Sequence, residues 1–275
     1  MREPVKIRSR SNPGLKRFRL ALEGRNRGAV LLEGVKLVGE ALEGSWRPLE
    51  ALVSPGLADR PGGGELLERL LAVPGPFRVL EAPERIFRGF SGVERAQGVL
   101  LLLERPVWKE EDLLGRGEEE VFLLVLCGVQ DPGNVGALVR SASAAGATGA
   151  VLLPGTADPL KPKALRASAG QALSFPFLRV GSSGEALSFL ETRGIPLRAA
   201  QAGSGPSFWD APWELPLALA IGAEGGGLPR EILSRAAGTV SIPMEGGVES
   251  LNLAVAGSLL LFEAARRRRE GRRVR

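Results

Sequence analysis

The chain has 275 residues, of which 44% are hydrophobic and 24% are charged, so its composition is ordinary for a globular protein and excludes a mainly disordered one. The length suits two domains, because single domains usually span roughly 100 to 200 residues. Histidine is absent and Cys127 is the single cysteine. The sequence therefore offers no imidazole base, no internal disulfide and no cysteine or histidine zinc site.

The formal net charge is +5, but the charge is unevenly distributed. Residues 1–27 hold nine basic and two acidic residues, and residues 266–275 hold seven arginines and one glutamate. The body between them has 20 basic and 28 acidic residues. Basic ends on an acidic body are typical of arms that contact the phosphates of a nucleic acid. For residues 266–269 alone, arginines that complement a helix dipole are an equally good interpretation.

No segment is expected to cross a membrane. The longest uncharged apolar stretch near the C-terminus, 251–262, has 12 residues, whereas a spanning helix needs about 20. The basic N-terminus is not followed by the apolar region of a signal peptide. We therefore expect a cytosolic protein, located in the cytoplasm, with no membrane partner.

The first part of the chain alternates between helical and extended patterns. Helices are predicted at 13–22, 35–42, 65–71 and 83–90, and strands at 29–32, 49–53, 77–80 and 99–103. This alternation predicts an α/β domain over residues 1–104. Residues 105–120 are polar and include Arg-Pro, two glycines and an acidic triplet, which is typical of a linker. A second domain is then expected over residues 121–275, ending in a basic C-terminal tail.

The second domain opens with a continuous apolar run, 121–129, as expected for a central parallel strand buried on both faces. Cys127 lies inside this run, which predicts a buried, unreactive thiol. Further strands are predicted at 150–153, 177–180, 197–200, 217–221 and 240–242, and helices up to 145 and at 163–169, 185–193, 229–236 and 251–268. The fold class is therefore α/β with a parallel sheet. Ligands bind beyond the carboxyl ends of such strands, so the loops 131–134, 222–227 and 243–250 are the candidate site.

The loop 222–227 is rich in glycine but matches neither a P-loop nor a dinucleotide fingerprint. Glu224 at its centre would repel phosphate and would favour hydroxyls or positive charge, as in the ribose, amine or sulfonium of S-adenosylmethionine. The glycines, Gly222 above all, are expected to let the backbone approach such a ligand. A flexible turn with a solvated glutamate is the alternative.

Three further polar residues lie near predicted strand ends. Asn134 and Asn252 each open a predicted helix, so helix capping alone could explain either one. Arg140 lies among small residues of a helix expected to pack closely, and a buried guanidinium would need an anionic partner. That partner is either a phosphate or carboxylate ligand or a structural salt bridge.

Taken in order, these motifs resemble those of the SpoU (TrmH-like) family of SPOUT RNA methyltransferases. The matching residues are Asn134-x-Gly136-x-x-x-Arg140, Gly222-x-Glu224-x-x-Gly227, and Ile242-Pro243-Met244 followed by Ser250-Leu251-Asn252. The resemblance implies 2′-O-ribose methylation of RNA with S-adenosylmethionine and without a metal. It also implies a deep trefoil knot in the second domain and a homodimer.

The resemblance further implies roles for individual residues. The cofactor contacts would come from Gly222, Ile242 and Leu251, and the catalytic candidates are Asn134, Arg140, Glu224, Ser250 and Asn252. Arg140 is a poor base, because the pKa of a guanidinium is above about 12. We prefer it as an electrostatic clamp on the hydroxyl or its 3′-phosphate, and the group that removes the proton is left open.

The first domain resembles the ribosomal-protein-L30e-type RNA-binding domain of the rRNA-modifying branch of this family. The matching residues are Glu33-Gly34-Val35 and Gln97-Gly98-Val99. The resemblance implies that rRNA of the large subunit, the 23S rRNA, is the substrate. The basic residues expected to bind it are Arg8, Arg10, Lys16, Arg17 and Arg19. A tRNA methyltransferase and a non-enzymatic RNA-binding protein are the alternatives.

Overall fold

A computed structural model describes residues 3–115, 117, 120–247 and 250–273 of the chain. The chain divides into a first unit, Met1–Pro106 with Leu160–Leu165, and a second unit, Val107–Pro159 with Arg166–Arg275. The predicted linker, residues 105–120, does not lie between these units, because most of its described residues belong to the second unit. Leu113 has no exposed surface and packs with Leu123 and Val125 in the core of that unit.

The first unit contains a five-stranded sheet with four helices. Its strands are β1 (Val5–Lys6), β2 (Ala29–Glu33), β3 (Pro48–Val53), β4 (Arg78–Glu81) and β5 (Val99–Glu104). Its helices are α1 (Lys16–Leu22), α2 (Val35–Glu43), α3 (Gly63–Ala72) and α4 (Glu84–Phe87), with 3-10 turns at Pro13–Leu15, Pro55–Leu57 and Arg88–Phe90. The strand order is β1-β4-β3-β5-β2, in which β5 is antiparallel to both neighbours and β1, β4 and β3 are parallel.

Strand β1 was not expected from the sequence, because its two residues are exposed and show no apolar alternation. The motifs that resemble the L30e-type domain lie side by side in this unit. Val35 N donates to Gln97 Oε1 at 2.9 Å, and Gly34 N donates to Val99 O at 3.3 Å. Gln97 therefore satisfies a free amide at the start of α2. The L30e-type assignment of the unit stays a prediction.

The second unit contains a six-stranded, fully parallel sheet. Its strands are β6 (Phe122–Cys127), β7 (Gly149–Leu152), β8 (Phe177–Arg179), β9 (Leu197–Ala200), β10 (Leu217–Gly222) and β11 (Gly238–Val240). Its helices are α5 (Pro132–Ala144), α6 (Pro162–Ala167, shared with the first unit), α7 (Ser183–Glu191), α8 (Arg230–Arg235) and α9 (Leu253–Arg273), with 3-10 turns at Glu110–Leu113 and Gln171–Leu173. The predicted α/β class with a parallel sheet is confirmed.

The strand order β11-β9-β10-β6-β7-β8 places β10 and β6 at the centre, and every residue of both strands is buried. Cys127 is 2% exposed, and burial raises the pKa of its thiol to about 12, so the predicted buried thiol is confirmed. The chain runs from β6 through β7 and β8 to one edge of the sheet. It then returns past β6, so that β9, β10 and β11 form the other half of the same sheet. Such a reversal opens a crevice at the carboxyl ends of the strands. The predicted knot stays a prediction.

Among the described residues, no helix combines the length and the apolar character that crossing a bilayer requires. Helix α9 is the longest helix, with 21 residues, but its second half is highly charged. Its apolar first half packs on α5, where Ser141 Oγ and Ser258 Oγ lie 2.7 Å apart.

Candidate active site

The second unit has a cavity of about 390 Å³ at the carboxyl ends of β9, β10 and β11. This volume is typical of small-molecule sites, which span roughly 300 to 1,000 Å³. The three predicted cofactor contacts, Gly222, Ile242 and Leu251, all line it, as do Glu224 and Ser250. The apolar part of the lining is formed by Ala200, Ile221, Val240, Leu253, Ala256 and Leu260.

The glycine-rich loop after β10 is closed by its own backbone. Ala223 N donates to Gly227 O at 3.0 Å, and Gly227 N donates to Ala223 O at 2.9 Å. A Cβ atom on Gly222 would lie 2.2 Å from the carbonyl carbon of Gly227 and 2.5 Å from Leu228 N. Residue 222 must therefore be glycine for the loop to fold back over it, and the expectation that Gly222 lets the backbone approach a ligand stays a prediction.

Asn134 and Glu224 are hydrogen-bonded across the centre of the sheet, with Asn134 Nδ2 donating to Glu224 Oε1. Asn134 lies in the first turn of α5, which follows β6, and Glu224 follows β10. Because β6 and β10 are parallel neighbours, with Cys127 opposite Gly222, their carboxyl ends meet at one edge. The structure thus brings two predicted catalytic residues together and directs an exposed carboxylate to the rim of the cavity.

Helix capping explains Asn252 but not Asn134. The N-cap of α5 is Asp131, whose Oδ1 accepts a hydrogen bond from Asn134 N at 3.0 Å. Asn252 Oδ1 accepts from Ala254 N at 2.9 Å and from Val255 N at 3.3 Å, which is the pattern of an N-cap. The side-chain amide of Asn134 is therefore free to hold Glu224, whereas the side-chain oxygen of Asn252 is used by α9.

Arg140 is exposed, so its guanidinium does not need the anionic partner that burial would have required. It lies six residues after Asn134 on α5 and so points to another face of the helix, about 120° away. The small residues Gly136 and Ala142 are buried, but Arg140 occupies the solvent side. Within the described part of the chain its side chain has neither a hydrogen bond nor an ion pair. Ser250 is also exposed and does line the cavity, whereas Arg140 does not.

Two parts of the cavity wall were not predicted from the sequence. Ala200 ends β9 and is followed by Gln201 and Ala202, and α9 contributes Gly257. The loop after β9 could have been identified because it also follows a parallel strand at the same edge of the sheet. Its cavity-lining residues Gln201 and Ala202 carry no charge and belong to no sequence motif, so no chemical signal marked them.

The predicted RNA-binding residues of the first unit are all exposed: Arg8, Arg10, Lys16, Arg17 and Arg19. Two of them lie together. Arg19 Nη2 donates to Arg10 O at 3.0 Å, and Arg10 Nη2 donates to Arg85 O at 3.0 Å. The Arg19 guanidinium also lies 5.8 Å from the centroid of the Phe90 ring. These contacts hold the basic side chains at the surface of the unit.

Three of the C-terminal arginines, Arg266, Arg267 and Arg268, are occupied by contacts within the second unit. Glu263 is buried and accepts hydrogen bonds from Arg266 at 2.8 Å and from Arg267 at 3.0 Å, which lower the pKa of its carboxyl. The Arg268 guanidinium lies 4.7 Å from the centroid of the Phe122 ring. For these three arginines the structure favours helix stabilisation over an RNA-binding tail.

Residues 121–262 match the model of the SpoU rRNA Methylase family. The chain belongs to this family. The resemblance predicted from its motifs is thus confirmed, and the matched residues contain the whole parallel sheet and the cavity. No group of three or more histidine, cysteine or acidic side chains that could hold a metal occurs among the described residues.

Members of the SpoU family with described activities are similar to the chain. It is 35% identical, over 70% of its length and 78% of the relative, to the 23S rRNA (guanosine-2′-O-)-methyltransferase RlmB of Ralstonia nicotianae. It is 32% identical, over 95% of its length and 92% of the relative, to the 23S rRNA (uridine(2479)-2′-O)-methyltransferase of Streptomyces viridochromogenes.

A solved structure of the family matches the fold along nearly the whole chain. The AdoMet-bound rRNA methyltransferase from Sinorhizobium meliloti superposes with a TM-score of 0.81 at 28% identity. The match covers 95% of this chain and 97% of that structure. The likeness thus includes both units rather than the parallel sheet alone.

Proposed function

We propose that the chain methylates a ribose 2′-hydroxyl of 23S rRNA with S-adenosylmethionine as the methyl donor. The observation that carries this proposal is the cavity at the carboxyl ends of the parallel strands. It collects the motif residues Gly222, Ile242 and Leu251 and has Glu224 at its rim. The activities named for the relatives of Ralstonia nicotianae and Streptomyces viridochromogenes support the choice of substrate.

The cavity fits the proposed cofactor chemically. Its apolar lining, which includes Ile221 and Leu260, suits an adenine ring, and its backbone groups suit the polar edges of that ring. The Glu224 carboxylate suits a ribose hydroxyl or the positive charge of a sulfonium. When bound there, S-adenosylmethionine supplies the methyl group that is transferred.

The reaction is an in-line displacement in which the ribose oxygen bonds to the methyl carbon while the bond from that carbon to sulfur breaks. The hydroxyl proton must leave, and the developing negative charge must be stabilised. In the proposal, Asn134 fixes the Glu224 carboxylate, Ser250 offers a hydroxyl to the cavity, and Asn252 fixes the start of α9 as its N-cap. Arg140, exposed and without a protein partner in the described residues, is the clamp on the acceptor ribose or its 3′-phosphate.

The first unit is proposed to be the L30e-like RNA-binding domain, with the 23S rRNA held by its basic residues. Arg8, Arg10, Lys16, Arg17 and Arg19 are exposed, as phosphate contacts require. The second unit is the methyltransferase domain of the proposal, including the trefoil knot implied by the family resemblance. We also place the enzyme in the cytosol.

We also propose that the enzyme is a homodimer. Helix α9 exposes Val255, Leu259 and Phe262 along one face, with exposed fractions of 49%, 42% and 50%. Ala137 of α5 continues this apolar surface. A contiguous apolar face on a soluble unit is typical of a protein interface, and a second copy is the partner that the family resemblance implies.

The test is methyl transfer from labelled S-adenosylmethionine to 23S rRNA and to tRNA, with the modified ribose mapped by primer extension. We expect methylation of 23S rRNA. Asn134→Ala and Arg140→Ala should abolish transfer while the affinity for the cofactor, measured by calorimetry, stays within a few-fold. Arg230→Ala is the control, because Arg230 is an exposed arginine of the same unit that does not line the cavity.

Methylation of tRNA alone would replace the proposed substrate by the tRNA alternative. RNA binding without any transfer would support the non-enzymatic alternative. An absence of heat with S-adenosylmethionine would contradict the assignment of the cavity. An equal loss of cofactor affinity in both variants would place Asn134 and Arg140 on the cofactor side of the site.

A further inference from the structure

The first unit contains a cleft of about 520 Å³ that the proposed reaction does not use. It opens at the amino ends of β3 and β4 and beside the C-terminal ends of α2 and α3. Three prolines and Phe77 form much of its wall. The residues that line it are Arg17, Leu42, Trp46, Arg47, Pro48, Leu49, Val73, Pro74, Pro76 and Phe77.

Trp46 is half-buried in the cleft and is held by its neighbour Gly44. A Cβ atom on Gly44 would lie 2.8 Å from Cδ1 and 2.9 Å from Nε1 of the indole, so the ring rests directly on the glycine backbone. The indole N–H donates to no residue that the structure describes. The ring thus lies against the backbone at Gly44, and its N–H has no acceptor among the described residues.

The rim of the cleft is positively charged. Arg47 is paired with Glu104 at 3.6 Å, and Arg78, next to the cleft at the start of β4, is paired with the buried Glu50 at 2.6 Å. Arg17 has no ion pair within the described residues. Burial raises the pKa of the Glu50 carboxyl, and the positive charges of Arg78 and Arg17 oppose this rise. Arg17 is therefore the rim cation available to an anionic ligand.

We propose that the cleft takes one unpaired nucleobase of the RNA substrate, which stacks on Trp46 while Arg17 binds the adjoining phosphate. This inference rests on the proposed function for the presence of RNA. Unpaired bases are bound by stacking on aromatic rings and by arginines on the flanking backbone. Arg17 belongs both to the cleft and to the basic N-terminal segment, so a single RNA strand could contact the cleft and that segment.

A proline-rich peptide is the competing occupant, because aromatic grooves also bind such peptides. The cationic rim favours RNA over that occupant, since a polyproline segment carries no negative charge for Arg17 to bind. The apolar lining of the cleft alone would not distinguish an RNA base from a proline-rich peptide.

The experiment measures the affinity of the full-length protein for the rRNA fragment that it methylates, over a series of salt concentrations. Trp46→Ala should weaken binding roughly 5- to 150-fold, the range for loss of one stacked base. The slope of log affinity against log salt should stay unchanged, because the indole carries no charge. Arg17→Gln should instead reduce that slope by about 0.7 to 0.9.

Three further variants make the result specific. Trp46→Phe keeps an aromatic face and should retain most of the affinity, whereas Trp46→Leu keeps an apolar side chain without an aromatic face and should not. This pair tests stacking even if Trp46→Ala fails to fold. Trp209→Ala is the matched control, because Trp209 is 55% exposed and lies outside the cleft. Cofactor affinity should be unchanged in every variant.

Equal RNA affinities for Trp46→Phe, Trp46→Leu and the wild type would overturn the inference, as would an unchanged salt slope for Arg17→Gln. A proline-rich peptide that binds the wild type, fails to bind Trp46→Leu and does not compete with RNA would assign the cleft to a protein partner instead. These failures differ from failure of the proposed function, in which the wild type itself methylates no RNA.

Discussion

Replacing Gly222 by alanine tests whether the cofactor cavity depends on the self-closed loop. The added Cβ would lie 2.2 Å from the Gly227 carbonyl carbon, whereas ordinary contacts begin at about 3.4 Å, so the loop must move by more than about 1 Å. Both hydrogen bonds between Ala223 and Gly227 would then be strained or lost. Each is worth roughly 0.5 to 1.5 kcal/mol, and overpacking typically costs about 1 to 3 kcal/mol.

We therefore expect a loop distortion of about 2 to 6 kcal/mol, which must be reversed before the cofactor can bind. At about 1.4 kcal/mol per factor of ten, this lowers the affinity for S-adenosylmethionine by at least about 30-fold. Calorimetry with the cofactor measures the affinity, and thermal unfolding of the same samples shows whether the rest of the unit remains folded.

Gly226→Ala is the matched control in the same loop. Its Cβ would be 3.9 Å from Ala223 Cβ, an ordinary contact, and residue 226 has no left-handed backbone. It should bind the cofactor as the wild type does. Wild-type affinity in Gly222→Ala would refute the argument from loop geometry. Equal losses in both variants would instead show that any side chain in this loop obstructs the ligand.

Leu113→Ala should destabilise the protein by about 2 to 5 kcal/mol in denaturant unfolding, because Leu113 is fully buried; an effect below 1 kcal/mol would support the original linker interpretation. Glu263→Gln should lower the melting temperature at pH 7, and the difference from the wild type should shrink as the pH falls below 4.5. The reason is that the carboxyl has a lowered pKa in the folded state, so its stabilisation is lost on protonation; a difference constant with pH would contradict this. Phe262→Glu should convert the proposed dimer to a folded monomer in sedimentation velocity, since the side chain is 50% exposed; a dimer of wild-type strength would place the interface elsewhere.

Most of the secondary structure could be predicted because apolar periodicity is strong in this chain. The run that contains β6 is apolar throughout, and all of the strand is buried. Strand β1 could not be found in this way, since an edge pairing of two exposed residues leaves no pattern in the sequence. Leu113 was assigned to a linker because its polar neighbours dominate the local composition, although one large apolar side chain is enough to anchor a segment in a core.

The candidate site was predictable where it depends on motifs and strand ends, as for Gly222 and Glu224. The burial and the hydrogen-bond partners of the site residues could not be predicted from the sequence. Arg140 has small neighbours, but small residues on one face of a helix say nothing about the opposite face, where Arg140 lies exposed. Asp131 rather than Asn134 caps α5. Two polar residues so close in the sequence are equally good candidates for the cap, and only the distances in the structure show which one it is.

The position of β10 between β9 and β6 has a consequence for how the second unit forms. β9 does not pair with β6, so the two halves of the sheet are joined only when β10 enters the gap between them. The paired residues Leu217 and Phe122 are about 95 residues apart in the chain. Because such distant pairings are slow to form, the central junction should be completed late, after β6, β7 and β8 have begun to assemble. During synthesis β6 therefore keeps an open edge until residue 222 has left the ribosome, and the glycine-rich loop, which follows β10, forms as that edge closes.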